Sequence, residues 1–226
     1  MHLVKAQLRE CEAQYLGRVP YSEGLGLQER AVEELKENSG NERLFLLEHN
    51  HVFTLGRSAK ASHILLNQET LNSRGIEVFE IGRGGDVTYH GEGQLVGYPI
   101  INLKPDRQDV HRYVRDLEEV LIRAIAEYGI EGARIRGLTG VWVGDKKIAA
   151  IGVRIARWIT SHGFALNVNT DLNYFKMIVP CGITDKGVTS IEKLLGRPVD
   201  LSEVAQKVSG HFASVFERHL INPGKR

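Results

Sequence analysis

Cys181 stands between a proline and a glycine in the segment "IVPCGITDKGVTSI", residues 178–191. Proline lacks a backbone N–H and glycine lacks a Cβ, so a sharp turn here can expose the thiol beside unpaired backbone donors. A thiol becomes a strong nucleophile when it ionises, and a nearby cation lowers its pKa. A lone cysteine is more often a small buried hydrophobe, which is the role we expect for Cys11. Metal binding is disfavoured because no second cysteine or histidine pair lies at ligand spacing.

A lysine opens the second segment of interest, "GDKKIAAIGVRIARWITSHGFALNV", residues 144–168. A strand that begins there would place four alternate side chains on one face: Lys147, Ala149, Ile151 and Val153. Such a lysine is usually a solvated turn residue, whereas a desolvated ammonium would shift the pKa of a neighbouring group. His162 begins the next strand and would lie near Lys147 if the two strands pair. Its alternative role is that of a hydrogen-bonded structural histidine.

The third segment is rich in glycine and reads "GRGGDVTYHGEGQLVGYPI", residues 82–100. Glycine allows close approach of a ligand to the backbone, and successive free N–H groups can cradle an oxyanion. Arg83 and His90 would stand at the mouth of this loop. The alternative is a tight hairpin whose glycines serve turn geometry alone. The loop does not match the phosphate-binding pattern in which Gly-Lys-Ser/Thr follows four variable residues, so no nucleotide is implied.

Composition restricts the class of protein. The 226 residues favour one large domain, residues 1–226, and the 42% hydrophobic and 25% charged residues are typical of a soluble globular protein. A net charge of +1 argues against a general nucleic-acid binder. The opening "MHLVKAQLRECEAQYL" resembles neither a secretory signal nor a transit peptide, and no apolar run is long enough for a membrane span. With only two cysteines, we expect a reducing cytoplasmic location.

Three helices and seven strands are predicted around these segments. Apolar side chains at helical spacing predict helices over about residues 20–37, from Asp109 as N-cap to Gly129, and over 200–220. β-branched and aromatic runs predict the strands "RLFLLEH", "HVFTLGR", "IEVFEIG", "QLVGYPIINL", "GVWVG", "KIAAIGVRI" and "HGFALNVN", with a hairpin between the fifth and sixth. Most strands follow one another directly. The sequence therefore predicts an α+β fold with a mixed, largely antiparallel sheet flanked by helices.

Taken together, the blocks "RGGDVTYHGEGQ", "KIAAIGVRI…HGFALNV" and "PCGI" resemble the lipoyl(octanoyl) transferase family, from "VFTLGR" at 52–57 through "SIEKLLGRPV" at 190–199. The resemblance implies a fold like that of lipoate and biotin protein ligases. It also implies that Cys181 carries an acyl thioester and that Lys147 lowers the pKa of its thiol and relays protons. Acyl-chain contacts are implied for fourteen residues: Arg83, Gly84, Gly85, Asp86, Val87, Thr88, Tyr89, His90, Ala150, Ile151, Gly152, Gly163, Phe164 and Ala165.

The same resemblance implies the reaction and the partners. An octanoyl group would pass from octanoyl-acyl carrier protein to the lysine amine of lipoyl domains, including those of 2-oxoacid dehydrogenases and the glycine cleavage H protein. No cofactor, ATP or metal is expected, and neither nucleic acid nor membrane. One departure is visible, because Glu92 stands where the family usually has proline. That change would loosen a turn of the loop and add a carboxylate to it.

A basic stretch suggests where an acidic carrier protein would dock. Six basic residues stand against the single acid Asp145 between residues 134 and 157: Arg134, Arg136, Lys146, Lys147, Arg154 and Arg157. Such a face would act mainly on the rate of encounter. The alternative is a scattered, solvated surface.

Four alternative functions remain at this point. They are an ATP-dependent lipoate or biotin ligase of the same fold, an octanoyl amidotransferase, a thiol hydrolase and a non-catalytic binder of lipoyl domains. The ligases have no need of a nucleophilic cysteine. A hydrolase would need a base such as His90 or His162, but no recognisable Cys-His-Asn signature is present.

Overall fold

The computed structural model describes residues 8–179 and 186–222. Within these ranges the larger sheet has eight strands, in the order β11-β1-β2-β6-β10-β9-β8-β7. Its strands are, in chain order, β1 Arg9–Arg18, β2 Glu42–Glu48, β6 Gln94–Ile100, β7 Ala133–Ile135, β8 Leu138–Val143, β9 Lys146–Ala156, β10 Ile159–Asn167 and β11 Arg218–Ile221. A smaller sheet in the order β4-β3-β5 contains β3 Val52–Leu55, β4 Glu77–Glu80 and β5 Val87–His90.

The large sheet is mixed, as predicted. β1 runs parallel to both β2 and β11, whereas the pairs from β2 through β6, β10, β9 and β8 to β7 are antiparallel. The hairpin between β8 and β9 is confirmed, with Val143 opposite Lys146. Strands β1, β5, β7 and β11 were not predicted. β1 reads RECEAQYLGR, and its charged residues hide the alternation that would reveal a strand.

Helices cover both faces of the large sheet. They are α1 Tyr21–Lys36, α2 Gln68–Ser73, α3 Val110–Ala126, α4 Ile191–Leu195 and α5 Leu201–Phe216. The three long helices confirm the predicted ones. Asp109 caps α3 by accepting a hydrogen bond from the Arg112 N–H at 3.0 Å, and Asp200 caps α5 through Ser202 at 2.7 Å. Short 3-10 helices lie at Ala61–His63 and Leu172–Met177.

Strand β2 shows why the core has two layers. Leu44 and Leu46 belong to the cluster that packs the sheet against α3 and α5, while Phe45 and Leu47 belong to the cluster beneath α1. Successive side chains of a strand point to opposite faces, so a strand covered on both sides is apolar throughout. The small sheet has its own core, with Phe53, Val87 and Tyr89 among its buried members. None of the helices in the described part of the chain has the length and apolar content that a bilayer crossing requires.

Candidate functional site

A cavity of about 510 Å³ brings the predicted segments together. It is bounded by the glycine-rich loop, β5, β6, β9 and β10, by Tyr21 at the start of α1, and by residues on both sides of segment 180–185. Thirteen of the predicted site residues line it: Arg83, Gly85, Asp86, Val87, Thr88, His90, Lys147, Ala150, Ile151, Gly152, Gly163, Phe164 and Ala165. Cys181 lies outside the described residues.

Two predicted contact residues do not line this cavity. Tyr89 is fully buried in the core of the small sheet, where its ring stacks on Tyr174 at 4.7 Å between centroids. Gly84 is exposed and donates its N–H to the Val153 carbonyl at 3.0 Å, which ties the loop to β9. Both residues therefore support the loop without facing the cavity.

The floor of the cavity is a row of small side chains on the large sheet. Ala150 on β9 lies opposite Ala165 on β10, which in turn lies opposite Val96 on β6. The adjacent residues Ile151 and Phe164 also border the cavity, but Phe164 belongs to the main core and Ile151 packs against it. Because alternate residues face the same side, the floor presents alanine and valine methyl groups to the cavity. This surface suits an unbranched alkyl chain.

Arg83 forms part of the cavity wall and is almost fully buried. Its Nη2 donates to the carbonyl and the hydroxyl oxygen of Thr54, both at 2.9 Å, and its Nη1 donates to the Gly84 carbonyl at 3.0 Å. Burial lowers the pKa of the guanidinium. Gly56 allows this arrangement, since a Cβ there would overlap the Gly85 carbonyl and approach Arg83 Nη1 to 2.7 Å. The loop thus holds a fixed positive charge beside the cavity.

A chain of buried amides links this loop to the segment that follows Cys181. His90 Nδ1 donates to Gln94 Oε1 at 2.8 Å, and Gln94 Nε2 donates to Asn167 Oδ1 at 2.9 Å. Asn167 Nδ2 then donates to the Thr189 carbonyl at 3.0 Å. Since each group is buried, the chain fixes the spacing between the glycine-rich loop, β10 and residue 189.

Lys147 sits in the cavity wall at the start of β9. Its N–H donates to the Gly187 carbonyl at 2.9 Å, and its carbonyl accepts from the Thr189 N–H at 3.0 Å. Burial lowers the pKa of its ammonium group. The predicted common face with Ala149 is wrong, because Ala149 lies in the main core. The register between β8 and β9 shifts between Val141 and Trp142, so the alternation breaks before Ala149.

Described residues on both sides of Cys181 reach the same cavity. Ile178 pairs with Ile64 in an isolated bridge, and Val188 pairs in parallel with Lys147. Ile178 and Val188 both line the cavity. The described chain therefore borders the cavity at Ile178 and again at Val188, beside Lys147.

His162 lines the other end of the cavity. It lies opposite Val153 on β9, six residues from Lys147, so a distance of about 20 Å along the strand separates the two positions. The predicted proximity of His162 to Lys147 is therefore wrong. Gln28 of α1 accepts a hydrogen bond from the His162 N–H at 2.7 Å. Burial lowers the pKa of His162 to about 4.

Two further buried histidines stand near this end. His49 Nδ1 donates to the Val19 carbonyl at 2.7 Å, so its Nε2 accepts from the Tyr98 hydroxyl, also at 2.7 Å. Burial lowers the pKa of His49 to about 4. Burial and the neighbouring His49 and Arg83 lower the pKa of His90 to about 3. All these rings are neutral at pH 7.

The buried histidines predict a loss of stability in acid. His49, His90 and His162 stay neutral in the folded state while the unfolded chain takes up protons below its ordinary pKa of 6.5. The free energy of unfolding should therefore fall by up to about 1.4 kcal/mol per pH unit for each histidine between roughly pH 6 and 4. Urea unfolding at several pH values measures this slope. His49→Gln should make it shallower, whereas the exposed control His219→Gln should leave it unchanged; equal slopes in all three proteins would contradict the assignment.

Three other features of the sequence can be compared with the structure. Cys11 is fully buried and burial raises the pKa of its thiol, as expected for a core residue. Glu92 forms an exposed ion pair with Arg18 at 2.7 Å in the turn after β5. Among residues 8–179 and 186–222, no cluster of three or more metal-binding side chains occurs.

The predicted basic face is smaller than its sequence suggests. Arg134 is paired with Glu118 at 3.1 Å and with Glu119 at 2.7 Å. Lys147 is turned into the cavity. Four exposed basic residues of the stretch remain: Arg136, Lys146, Arg154 and Arg157. Of these, Arg154 lies beside Gly82, with its Nη1 3.5 Å from where a Cβ would stand.

Comparison with known proteins places this fold and cavity in a family. Residues 20–213 match the family described as Lipoyl protein ligase A/B catalytic domain. The chain belongs to this family. The Octanoyltransferase of Solibacter usitatus (strain Ellin6076) is 50% identical over 217 residues, covering 96% of this chain and 97% of that relative. The predicted acyltransferase class and family are confirmed.

Solved structures confirm the predicted fold class. A lipoate-protein ligase A bound with ATP superposes with a TM-score of 0.73 at 17% identity, covering 95% of this chain and 90% of that one. The biotin protein ligase from Aquifex aeolicus in complex with biotin and ATP gives a TM-score of 0.57 at 17% identity, with 91% and 70% covered. At this identity the likeness concerns the fold alone.

Several residues that line the cavity were not predicted from the sequence. They come from segments with no chemical motif: Tyr21, Tyr98, Leu138, Thr139, Trp142 and Phe175. Tyr21 and Tyr98 were visible only as members of an apolar helix face and an apolar strand. The aromatic residue in "GVWVG" was the one available signal, because the predicted hairpin pairs its strand with the strand of Lys147. That Trp142 itself lies opposite Lys147 follows only from the observed register.

Proposed function

We propose that this chain transfers an octanoyl group from octanoyl-acyl carrier protein to the lysine amine of lipoyl domains, through a thioester on Cys181. The observation that carries the proposal is the cavity, which joins an alanine-lined floor to Lys147 and to both flanks of Cys181. Named octanoyltransferases that match the chain nearly end to end support the same conclusion.

In the first half-reaction Lys147 favours the thiolate of Cys181 electrostatically. The thiolate attacks the thioester carbonyl carbon, and the bond from that carbon to the phosphopantetheine sulfur breaks. The departing thiolate takes a proton from the Lys147 ammonium, whose pKa burial already lowers. The products are acyl-Cys181, a free carrier-protein thiol and a neutral Lys147.

In the second half-reaction the neutral amine of a lipoyl-domain lysine attacks the acyl-Cys181 carbonyl. The bond from carbonyl carbon to Cys181 sulfur breaks, and the amide nitrogen gives its surplus proton to Lys147. This restores the ammonium–thiolate pair. Because thioester-to-amide transfer is downhill, the cycle requires no ATP.

Binding of the acyl chain rests on the sheet floor. Burying its methylenes at about 0.8 kcal/mol each could contribute roughly 5 kcal/mol before ordering costs. The small side chains of Ala150 and Ala165 leave room for the chain, while Arg83 and the glycine-rich loop close the side. Binding of the acyl chain fixes the position of the reacting carbonyl, whereas the acceleration of the chemical step comes from the reacting groups.

Ala165→Leu should shorten the acyl chain that the enzyme accepts. The larger side chain would occupy the floor between Ala150 and Val96, so kcat/KM for an octanoyl donor should fall about 10- to 100-fold. A butanoyl donor should lose much less. Ala165→Gly, which keeps the floor open, is the matched control. Equal losses of kcat/KM for the octanoyl and butanoyl donors in Ala165→Leu would contradict the inference that the cavity floor limits the acyl chain length.

Three of the exposed basic residues, Arg136, Arg154 and Arg157, are proposed as the docking face for the carrier protein. Arg154 stands beside the glycine-rich loop, Arg157 lies in the β9–β10 turn, and Arg136 lies in the β7–β8 turn toward the same end of β9. Lys146 lies at the opposite end of β9 and is not part of this face. Acyl carrier proteins are acidic, so attraction would increase the rate of encounter at low salt.

The decisive test is transfer from octanoyl-acyl carrier protein to an isolated lipoyl domain without ATP or magnesium. The proposal expects full activity, read as one octanoyl group added to the domain by mass spectrometry. The second candidate, an ATP-dependent ligase, is favoured by the likeness to the ATP-bound ligase structure. Octanoylation from free octanoate only when ATP is present would establish that activity instead.

A further inference from the structure

We propose that Trp142 is a positioning residue of the acyl-transfer centre, whose ring face holds the Lys147 ammonium at its end of the cavity. The consequence for catalysis rests on the proposed function, whereas the contact itself does not. Trp142 has no role in the motifs that define the site.

The geometry places the charge over the ring. Lys147 Nζ lies 4.8 Å from the centroid of Trp142, within the range of about 6 Å over which a cation is attracted to an aromatic face. The two residues are register partners across β8 and β9. The Lys147 stem also passes close to Gly140, where a Cβ would stand 3.5 Å from Lys147 Cε. Backbone and ring together fix the direction of the side chain.

Other charged groups near this ammonium do not replace the ring. The β8–β9 turn carries Asp145 and Lys146, and segment 186–189 carries Lys186. Lys186 Nζ is 6.0 Å from the same ring, at the outer limit of the interaction. Among the described residues no carboxylate offsets the effect of burial on Lys147. The Trp142 face is thus its electrostatic partner there.

An aromatic partner suits a lysine that must give and take protons. A carboxylate would occupy the ammonium N–H groups and compete with a thiolate for the positive charge. A ring face attracts the charge and leaves N–H donors for the reacting sulfur and leaving group.

The indole N–H supports this interpretation of the ring. Trp142 is 1% exposed, and its Nε1 has no hydrogen-bond partner among residues 8–179 and 186–222. An unpaired buried donor is costly, so packing alone would favour phenylalanine. Tryptophan offers the strongest attraction to a cation through its face, which explains its presence despite the unpaired donor.

Fluorinated tryptophans test the contact without changing the shape of the side chain. Fluorine withdraws electron density from the ring face and weakens its attraction for a cation. In a Trp158→Phe background, Trp142 would be replaced in turn by mono-, di- and trifluorotryptophan.

The apparent pKa of each lysine would be read from the pH dependence of acetic anhydride labelling, by peptide mass spectrometry. Lys147 should show a stepwise fall reaching about one pH unit. Lys146, the exposed neighbour, should show none.

The outcomes separate this inference from the proposed function. Labelling would be run on Cys181→Ser, so that it depends on no acyl transfer. An unchanged Lys147 profile across the series overturns the inference, whatever the activity. A stepwise fall in Cys181→Ser, together with no octanoyl transfer by the protein with Cys181 intact, establishes the contact and rejects the proposed function. With Cys181 intact, the pH profile of kcat should shift in the same steps. An unchanged pH profile of kcat would show that Trp142 is not a positioning residue for catalysis.

Discussion

Cys181→Ala should reduce octanoyl transfer by about 10³-fold or more, because the nucleophile of the first half-reaction and the acyl carrier of the second are lost. Mixing the wild-type protein with octanoyl-acyl carrier protein should yield an enzyme that carries one octanoyl group, seen by intact mass spectrometry. The variant should show no such adduct. This is the largest effect expected from any single substitution in the chain.

Cys11→Ala controls for the general loss of a thiol. Cys11 is fully buried in the main core, so this variant should still carry the one octanoyl adduct. Alanine removes only the thiol group there, and transfer should stay near the wild-type rate. Transfer by Cys181→Ala at the wild-type rate would reject the covalent mechanism, as would an adduct on Cys11.

Lys147→Ala should raise the apparent pKa of the Cys181 thiol by about one to two units, toward the ordinary value of about 8.5. Loss of the ammonium removes the cation that favours the thiolate. The thiolate fraction at pH 7 would then fall about 10- to 100-fold, and proton transfer would also be lost. The rate of iodoacetamide alkylation of Cys181 against pH measures the first effect, and transfer from the carrier protein measures both.

Lys146→Ala is the matched control for this variant. Lys146 precedes Lys147 on β9 but is exposed, so its removal takes away the same charge without entering the cavity. Its alkylation profile should coincide with that of the wild-type protein. If the two lysine variants gave the same profile, the pKa of Cys181 would depend on net charge and not on Lys147.

Local patterns were sufficient for much of the fold. The three long helices follow from apolar spacing and caps such as Asp109, and seven strands follow from β-branched and aromatic runs. β5 was hidden because its residues, Val87–His90, lie inside a segment dominated by glycine. β1 was hidden by its charges, and it is held by parallel pairing with two strands distant in sequence. Pairing of that kind leaves little trace in a local pattern.

The sequence by itself determined which groups are proposed to supply the chemistry: one cysteine between a proline and a glycine, a lysine at a strand start and a glycine-rich loop. Residue type and local spacing carry that information. Only the tertiary structure decided that Lys147 and the glycine-rich loop border one cavity. A one-residue register shift at Val141–Trp142 separates Lys147 from Ala149, and strand pairing moves His162 to the far end of the cavity. Trp142 comes to face Lys147 through the same pairing. Contacts across strands depend on register, which a single strand does not encode.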